Sequence, residues 1–302
     1  MANILIAGGS GLVGQRLSAL LTARGHQVCW LSRSKDAQDP YPVFIWDIKQ
    51  GIIEEEAIAK ADYVINLAGA GVADRPWTKD RKELIISSRV ETAALLLQYF
   101  QKVKPPKAYL AASAVGYYGN RGNKMLAETD GPGTGFLSES CLAWEAATDE
   151  VRKSGIRTVT IRIGIVLSTQ GGALEKMLIP FKFFMGTYFG NGEQWYSWIH
   201  IDDLCGIFIR AIENEAMTET YNGVAPNPET NEDLTRTVGK ARKKPALILP
   251  APAFILRLVM GEMSHAILDS TRVSSNKIEA MGYEFRFRNL LPALEDLFER
   301  KL

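Results

Sequence analysis

The residues of this chain best suited to chemistry form a glycine cluster near its start, "IAGGSGLVG" at positions 6–14. Gly9, Gly11 and Gly14 fit G-x-G-x-x-G, and Gly8, Gly11 and Gly14 fit G-x-x-G-x-x-G equally well. The cluster follows the apolar run "NILI" and precedes the helical pattern "LVGQRLSALLTARG", so it marks a strand-to-helix junction. Such a junction aims backbone N–H groups and the positive end of a helix dipole at one point. One glycine permits the tight turn, the next lets a pyrophosphate approach, and the last lets the helix pack on the strand. Gly8, Gly9, Ser10, Gly11, Leu12, Val13 and Gly14 are therefore the candidate phosphate cradle of a dinucleotide.

About 20 residues beyond such a cradle an acidic residue ordinarily binds the ribose 2′-hydroxyl of NAD. Here "VCWLSRS" ends in Ser32, Arg33 and Ser34. A guanidinium pairs with a 2′-phosphate and stacks on adenine, so the sequence favours NADP(H). The alternative is a solvated basic turn in which Asp36 binds the ribose. Asp47, ending "FIWD", either accepts from the adenine amino group or caps a turn. Leu67, Ala68 and Gly69 in "NLAGAGV" offer a small-residue floor, and Ile163 in "RIGIVLS" completes the cofactor set. Ser113 closes "KAYLAAS" at a strand end, where it would contact substrate or nicotinamide.

All these residues lie at the ends of short apolar runs, and the runs alternate with longer amphipathic segments such as "RKELIISSRVETAALLLQYFQ" and "SESCLAWEAATDEVRKSG". Continuous apolar strands alternating with helices predict a doubly wound α/β domain with a parallel sheet covered on both faces, over residues 1–165. After residue 166 the rhythm breaks, and glycines, aromatics and prolines become dense. That composition predicts a smaller lobe within 166–302.

Across the 302 residues, 35 Lys and Arg nearly balance 34 Asp and Glu, so total charge gives no reason to expect nucleic acid or an anionic membrane surface as partner, specific basic patches aside. Cys29, Cys141 and Cys205 match neither a disulfide framework nor a metal-ligand spacing, and a reduced, cytoplasmic protein is the expectation. The longest apolar stretch, "LILPAPAFILRLVMG", carries prolines and Arg257, so neither a signal peptide nor a membrane span is expected. His200 has Asp202 and Asp203 beside it but no other His or Cys at a metal-ligand spacing, which points to helix capping and not to a metal.

In order and separation, "GGSGLVG", "INLAGAGV", "ASAVGYYG", "RIGIVLS" and "WIHIDDL" resemble the extended short-chain dehydrogenases/reductases, the class of nucleotide-sugar epimerases and dehydratases. More closely, "PWTKDRKELIISSRVETAALL", "CLAWEAA" and "LPAPAFILRLVMGEMSHAILDSTRVSSNKIEAMGYEF" resemble the atypical "epimerase family protein" branch, which ends in its own small C-terminal domain. The resemblance implies a Rossmann-type sheet, NADP(H) binding, and a C-terminal substrate lobe from which residues 199–225 return to the first domain. It also implies a catalytic Ser, matched by Ser113, and a Tyr-x-x-x-Lys pair whose lysine lowers the tyrosine pKa. At those two places stand Leu137 and Cys141, and no Tyr-x-x-x-Lys occurs anywhere in the chain.

The remaining candidates for proton transfer are Tyr117 and Tyr118, with Glu139 and Glu145 on the next helix. Arg89 is a candidate cofactor contact; Lys79, Arg81 and Lys82 are expected to be solvated. Trp195, Tyr196 and Trp198 either line a pocket or anchor the two lobes. The expectation is an NADP(H)-dependent oxidoreductase or epimerase-like enzyme on a small carbonyl or sugar-like substrate. The alternative is an NADP(H)-binding sensor or scaffold without turnover. Extended reductases often pair through their two long helices, but packing on the sheet explains those apolar stripes equally well, leaving monomer and homodimer both open.

Overall fold

The computed structural model describes residues 1–300. Its centre is an eight-stranded sheet: β1 Asn3–Ala7, β2 Gln27–Ser32, β3 Val43–Asp47, β4 Ile52–Ile53, β5 Tyr63–Asn66, β6 Ala108–Ala114, β7 Thr158–Ile163 and β8 Thr220–Gly223. The spatial order is β8-β7-β6-β5-β1-β2-β3-β4, and every pairing is parallel except β3 with β4. The order therefore reverses at β1, with β2 on one side and β5 on the other. In such sheets the ligand crevice opens at that reversal, beyond the carboxyl ends of the strands.

The α-helices of six residues or more among the described residues are α1 Leu12–Ala23, α2 Glu55–Lys60, α3 Lys79–Lys102, α4 Phe136–Lys153, α5 Gly172–Phe181, α6 Ile201–Glu213, α7 Asn231–Ala241, α8 Ala253–Met260 and α9 Leu290–Glu299. Strand β1 shows why the sheet is covered twice. Ile4 and Ile6 join Leu17 and Leu21 of α1 and Leu204, Ile207 and Phe208 of α6 in one core. Leu5 and Ala7 face the other way, into a core with Ile58 of α2 and Leu96 and Phe100 of α3. A strand buried on both faces must be apolar at consecutive positions, which is the pattern "NILIA" carries.

The run "RTVTIRIGIVL" reads as one strand but is two. Residues 158–163 enter the sheet, whereas Ile165–Leu167 pair with Trp198–His200. The break falls at Gly164, where an added Cβ would lie 2.2 Å from the carbonyl oxygen of Ser197. Residues 199–225 supply α6, which packs on α1, and the edge strand β8. The C-terminal lobe contains α7 and α9 packed together and a separate two-stranded parallel ribbon, Met185–Phe189 with Leu247–Ala251.

Candidate functional site

The sheet order places the sequence candidates along one edge. From β3 to β7 that edge carries Asp47, then Ser32–Ser34, then the glycine turn, then Leu67–Gly69, then Ser113, then Ile163. With strands about 4.8 Å apart, the line from Asp47 to Ser113 crosses four intervals, roughly 19 Å.

The four glycines of the turn have different reasons to be glycine. Gly8 has φ +81°, and its Cβ would strike the backbone of Leu67 and Ala68 at 2.9–3.0 Å. A Cβ on Gly9 would meet the ring of Trp30 at 2.2 Å, and one on Gly14 would lie 2.4 Å from the Gly8 carbonyl oxygen. Trp30 is itself fixed by donating from Nε1 to Ser18 Oγ at 2.8 Å. Gly11 is different: it is exposed, extended at φ −76°, and a Cβ there would meet only the Gly8 oxygen, at 3.3 Å. It caps α1 without any side-chain hydrogen bond, and the first turn of α1 holds no acidic residue. The N–H groups of that turn therefore have no side-chain acceptor, the arrangement that suits an anion. Ser10 is exposed and its carbonyl accepts from Gln15 Nε2, while the half-buried Leu12 packs near Gly171 and Gly172 and Val13 is half-buried.

At the end of β2, Ser32 is half-buried and Arg33 and Ser34 are exposed. Among the described residues Arg33 has no carboxylate partner, and Asp36 is drawn into a local turn, its Oδ1 accepting from Gln38 N–H at 3.0 Å. Asp47 Oδ1 accepts from the N–H groups of Lys49 and Gln50 at 2.9 and 3.1 Å, a turn-capping geometry. Leu67 and Ala68 follow β5, whose end is pinned by buried Asn66. That side chain donates to Tyr109 at 2.9 Å and accepts from the Ala68 N–H at 3.1 Å. Ile163 is half-buried at the end of β7.

Ser113, Arg162 and Asn222 are register partners on β6, β7 and β8, so their side chains share one face of the sheet. α4 covers that face. Ser113 donates to Glu145 Oε1 at 2.6 Å, and Arg162 forms a two-pronged pair with the same carboxylate, both contacts at 2.8 Å. Burial alone would lower the Arg162 pKa; the Glu145 carboxylate overrides it, and the net shift is upward. Arg162 also donates to the Tyr118 hydroxyl at 3.0 Å, and Tyr118 donates to Asn222 Oδ1 at 2.8 Å. Burial pushes the Tyr118 phenol up to about 12. Tyr117 is half-buried with the Arg162 guanidinium 3.4 Å from its ring centre.

Leu137 and Cys141 face the segment that follows Ser113. A Cβ on Gly116 would lie 3.3 Å from Leu137 Cβ and 3.8 Å from Cys141 Sγ. Burial pushes the Cys141 thiol up to about 12. Arg89 is buried, with its guanidinium beside Gly69 and 4.8 Å from the Trp144 ring centre. Burial lowers its pKa, and it has no carboxylate partner among the described residues.

The expected solvation of the charge run holds for Lys79 and fails for its neighbours. Arg81 is largely buried, donating to the Gly71 carbonyl, and Lys82 reaches across to Glu262. The Lys82 partner, Glu262, lines a cleft of about 230 Å³ whose walls include Trp77, Asn120, Phe136, Leu137, His265 and Asp269. Trp198 and Tyr196 are buried and bonded to the carbonyls of Asn227 and Ile267, as anchors between segments. His200 caps α6, its Nδ1 accepting from the Asp202 N–H at 3.1 Å.

A family model for the NAD dependent epimerase/dehydratase family matches residues 4–222, and a domain of unknown function, DUF1731, matches residues 251–297. An epimerase family protein of Staphylococcus aureus is 35% identical over 303 residues, covering 99% of this chain and 100% of its own. This chain belongs to the NAD dependent epimerase/dehydratase family. Within it, the chain is an atypical extended short-chain dehydrogenase/reductase of the epimerase family protein branch. The crystal structure of a human epimerase family protein (isoform 2) with NADPH is 32% identical, with a TM-score of 0.89 over 99% of this chain and 100% of that one. The UDP-glucuronic acid 4-epimerase of Bacillus cereus, solved with UDP-glucuronic acid and NAD, covers 99% of both chains at a TM-score of 0.79 and 18% identity, a likeness of fold.

In this epimerase-family chain the functional arrangement that sequence reasoning missed is the buried Glu145–Arg162 pair beneath Ser113. Glu145 was visible as a titratable residue on the helix after Ser113. Arg162, inside an apolar strand, was a signal in itself, because a charge in a strand buried on both faces needs a partner.

Proposed function

We propose that this chain binds NADP(H) along the sheet edge and carries out oxidoreductase or epimerase-like chemistry on a small carbonyl or sugar-like substrate. The observation that carries the cofactor reading is the end of β2. Arg33 stands exposed without a carboxylate partner among the described residues, and Asp36, the competing ribose ligand, holds one carboxylate oxygen in its own turn. The uncapped first turn of α1 holds the pyrophosphate, with Gly8, Gly9 and Gly14 shaping the turn and Gly11 leaving room for it. Ser32 and Ser34 add hydroxyls near the 2′-phosphate, and Asp47 keeps one carboxylate oxygen for adenine. Leu67, Ala68, Gly69 and Ile163 form the floor, and Arg89 faces the cofactor as a buried cation. The NADPH in the crystal structure of the human relative supports the same reading.

NADP(H), when bound, supplies or takes the hydride at the carbon that bears the reacting oxygen. Toward a carbonyl substrate Ser113 would turn its hydroxyl from Glu145 to the substrate oxygen; with an alcohol substrate it would keep its bond to Glu145, accept from the alcohol and pass its own proton to that carboxylate. Arg162 fixes Glu145 in position with a two-pronged geometry that a lysine could not provide. Tyr118 is a fixed member of this network, its hydroxyl held between Arg162 and Asn222; Tyr117 is the phenol nearer to the open side. The cleft beside Leu137 receives the substrate, with Glu262, His265 and Asp269 of the C-terminal lobe in its wall. The three free cysteines suit a reducing, cytoplasmic setting.

A second reading, an NADP(H)-binding sensor without turnover, is favoured by Leu137 and Cys141 standing where an acid/base pair would be. Single-turnover oxidation of bound NADPH by a panel of small aldehydes, ketones and keto-sugars separates the two. The enzyme reading expects oxidation that Ser113→Ala abolishes while NADPH affinity is kept. No oxidation by any carbonyl, together with a partner interaction that differs between NADP+ and NADPH, selects the sensor.

A further inference from the structure

The stretch "LILPAPAFILRLVMG" is absorbed neither by the cofactor edge nor by the cleft. In the structure it forms the second strand of the C-terminal ribbon, Leu247–Ala251, followed by α8. None of the eight residues of α8 is buried. Leu258 is 84% exposed, Val259 76% and Phe254 68%. Beside the ribbon, Phe183 and Phe184 are 70% and 62% exposed, and the main-chain oxygen of Phe184 bonds to the N–H of Leu247, itself 62% exposed. At about 150–250 Å² per aromatic side chain, the three phenylalanines alone expose roughly 300 Å² or more. The largest apolar patch on a typical monomer is about 300–600 Å² in all and is often functional, so an exposure of this size is a candidate docking surface.

The same segments are basic. Lys182 precedes the two phenylalanines, Lys240, Lys243 and Lys244 precede Leu247, and Arg257 sits between the exposed residues of α8. Among the described residues only Lys243 of these has a carboxylate within reach, Glu299 at 3.8 Å. Phe184 and Lys243 are also the two non-glycine residues of the described chain with left-handed backbone, φ 58° and 54°. Both lie beside the exposed end of the ribbon. A net charge of only +1 conceals this local excess.

We infer that two exposed apolar elements joined by the ribbon, residues 182–185 with 243–249 at one end and α8 beyond the other, dock this protein peripherally onto an anionic lipid bilayer. The apolar side chains enter the boundary between headgroups and acyl chains, and the lysines and Arg257 face the anionic headgroups. Charge decides between this partner and a second copy of the chain. A two-fold interface would set each basic collar against its own image, whereas an anionic surface complements it. No helix among the described residues is long and apolar enough to cross a membrane, and peripheral docking requires none. α8 runs directly into the segment carrying Glu262, His265 and Asp269, so the docked face is joined to one wall of the substrate cleft.

The test is co-sedimentation of the full-length, NADPH-loaded protein with vesicles of phosphatidylcholine alone or with added phosphatidylglycerol. The inference expects uptake by the phosphatidylglycerol vesicles, release by salt, and little uptake by phosphatidylcholine. Leu258→Asp and, separately, Lys182→Glu with Lys244→Glu each lower the partition coefficient by at least about tenfold. These side chains are exposed, so the melting temperature and NADPH affinity of both variants stay unchanged and certify folding. No uptake at low salt, or uptake that both variants retain, overturns the inference. Light scattering that reports a dimer dissolved by Leu258→Asp, with no vesicle uptake, overturns it in favour of an interface between copies.

Discussion

Gly11 and Gly14 are both glycines of one turn, yet the structure assigns them opposite failures on substitution by alanine. At Gly14 a methyl group would lie 2.4 Å from the Gly8 oxygen and 2.7 Å from Gly9 Cα, all backbone, so nothing flexible can give way. Overpacking of this kind costs about 1–3 kcal/mol or more, and Gly14→Ala is expected to unfold several degrees lower than wild type. At Gly11 the backbone is in a region alanine occupies freely, and the one close contact, at 3.3 Å, needs a shift of a few tenths of an ångström. Alanine there forfeits up to about 1 kcal/mol as a helix cap and regains about 0.4–1 kcal/mol from a stiffer unfolded chain. Net stability changes by less than about 1 kcal/mol. The methyl group does stand where the phosphates approach, so NADPH affinity falls at least about tenfold, about 1.4 kcal/mol. Thermal unfolding without cofactor and calorimetric titration with NADPH read the two effects separately. Unchanged NADPH affinity in Gly11→Ala, or wild-type stability in Gly14→Ala, would refute the reasoning.

The buried pair beneath Ser113 predicts that Glu145→Gln and Arg162→Met each lose about 3–5 kcal/mol in denaturant unfolding, because each strands a buried charge or polar partner. The double variant Glu145→Leu with Arg162→Met recovers much of that loss; additive losses would contradict the pairing. His200 predicts an acid limb. Burial, aided by Arg300 and Arg286 and opposed by Asp202 and Asp296, lowers its pKa from 6.5 to about 4. Between those values the unfolded chain binds the extra proton, so stability falls as pH drops from 6.5 to 4, by roughly 3 kcal/mol, and this contribution levels off below. His200→Asn keeps a capping side chain and removes the titration. Unfolding free energies measured across that range should flatten in the variant, and a parallel slope would sink the assignment.

What was legible in the sequence was local. The strand–glycine–helix junction, the two-faced strands and the interruption by Gly and Pro after residue 166 each follow from a few neighbouring residues, and they specify the doubly wound sheet. The network under Ser113 was not legible because Glu145 is 32 residues away and Arg162 reaches it from another strand. Only the register of β6 with β7 makes them neighbours. Gly164 hid a chain break for the same reason, since the atom that forbids a side chain there belongs to Ser197. Arg81 read as a solvated charge because a run of basic residues gives no sign that a carbonyl such as that of Gly71 will fold over one of them. The apolar stretch from Leu247 was visible, but whether it would be buried depended on the lobe around it.

The central claim is that the sheet edge is an NADP(H) site selected by Arg33. Dissociation constants for NADPH and NADH, measured on the wild type and on Arg33→Asp, test it most directly. The account predicts a clear NADPH preference that the variant loses, on the order of 2 kcal/mol or about thirtyfold for a charge-assisted pair. Equal binding of the two cofactors by the wild type would contradict the role of Arg33, and binding of neither would contradict the site itself.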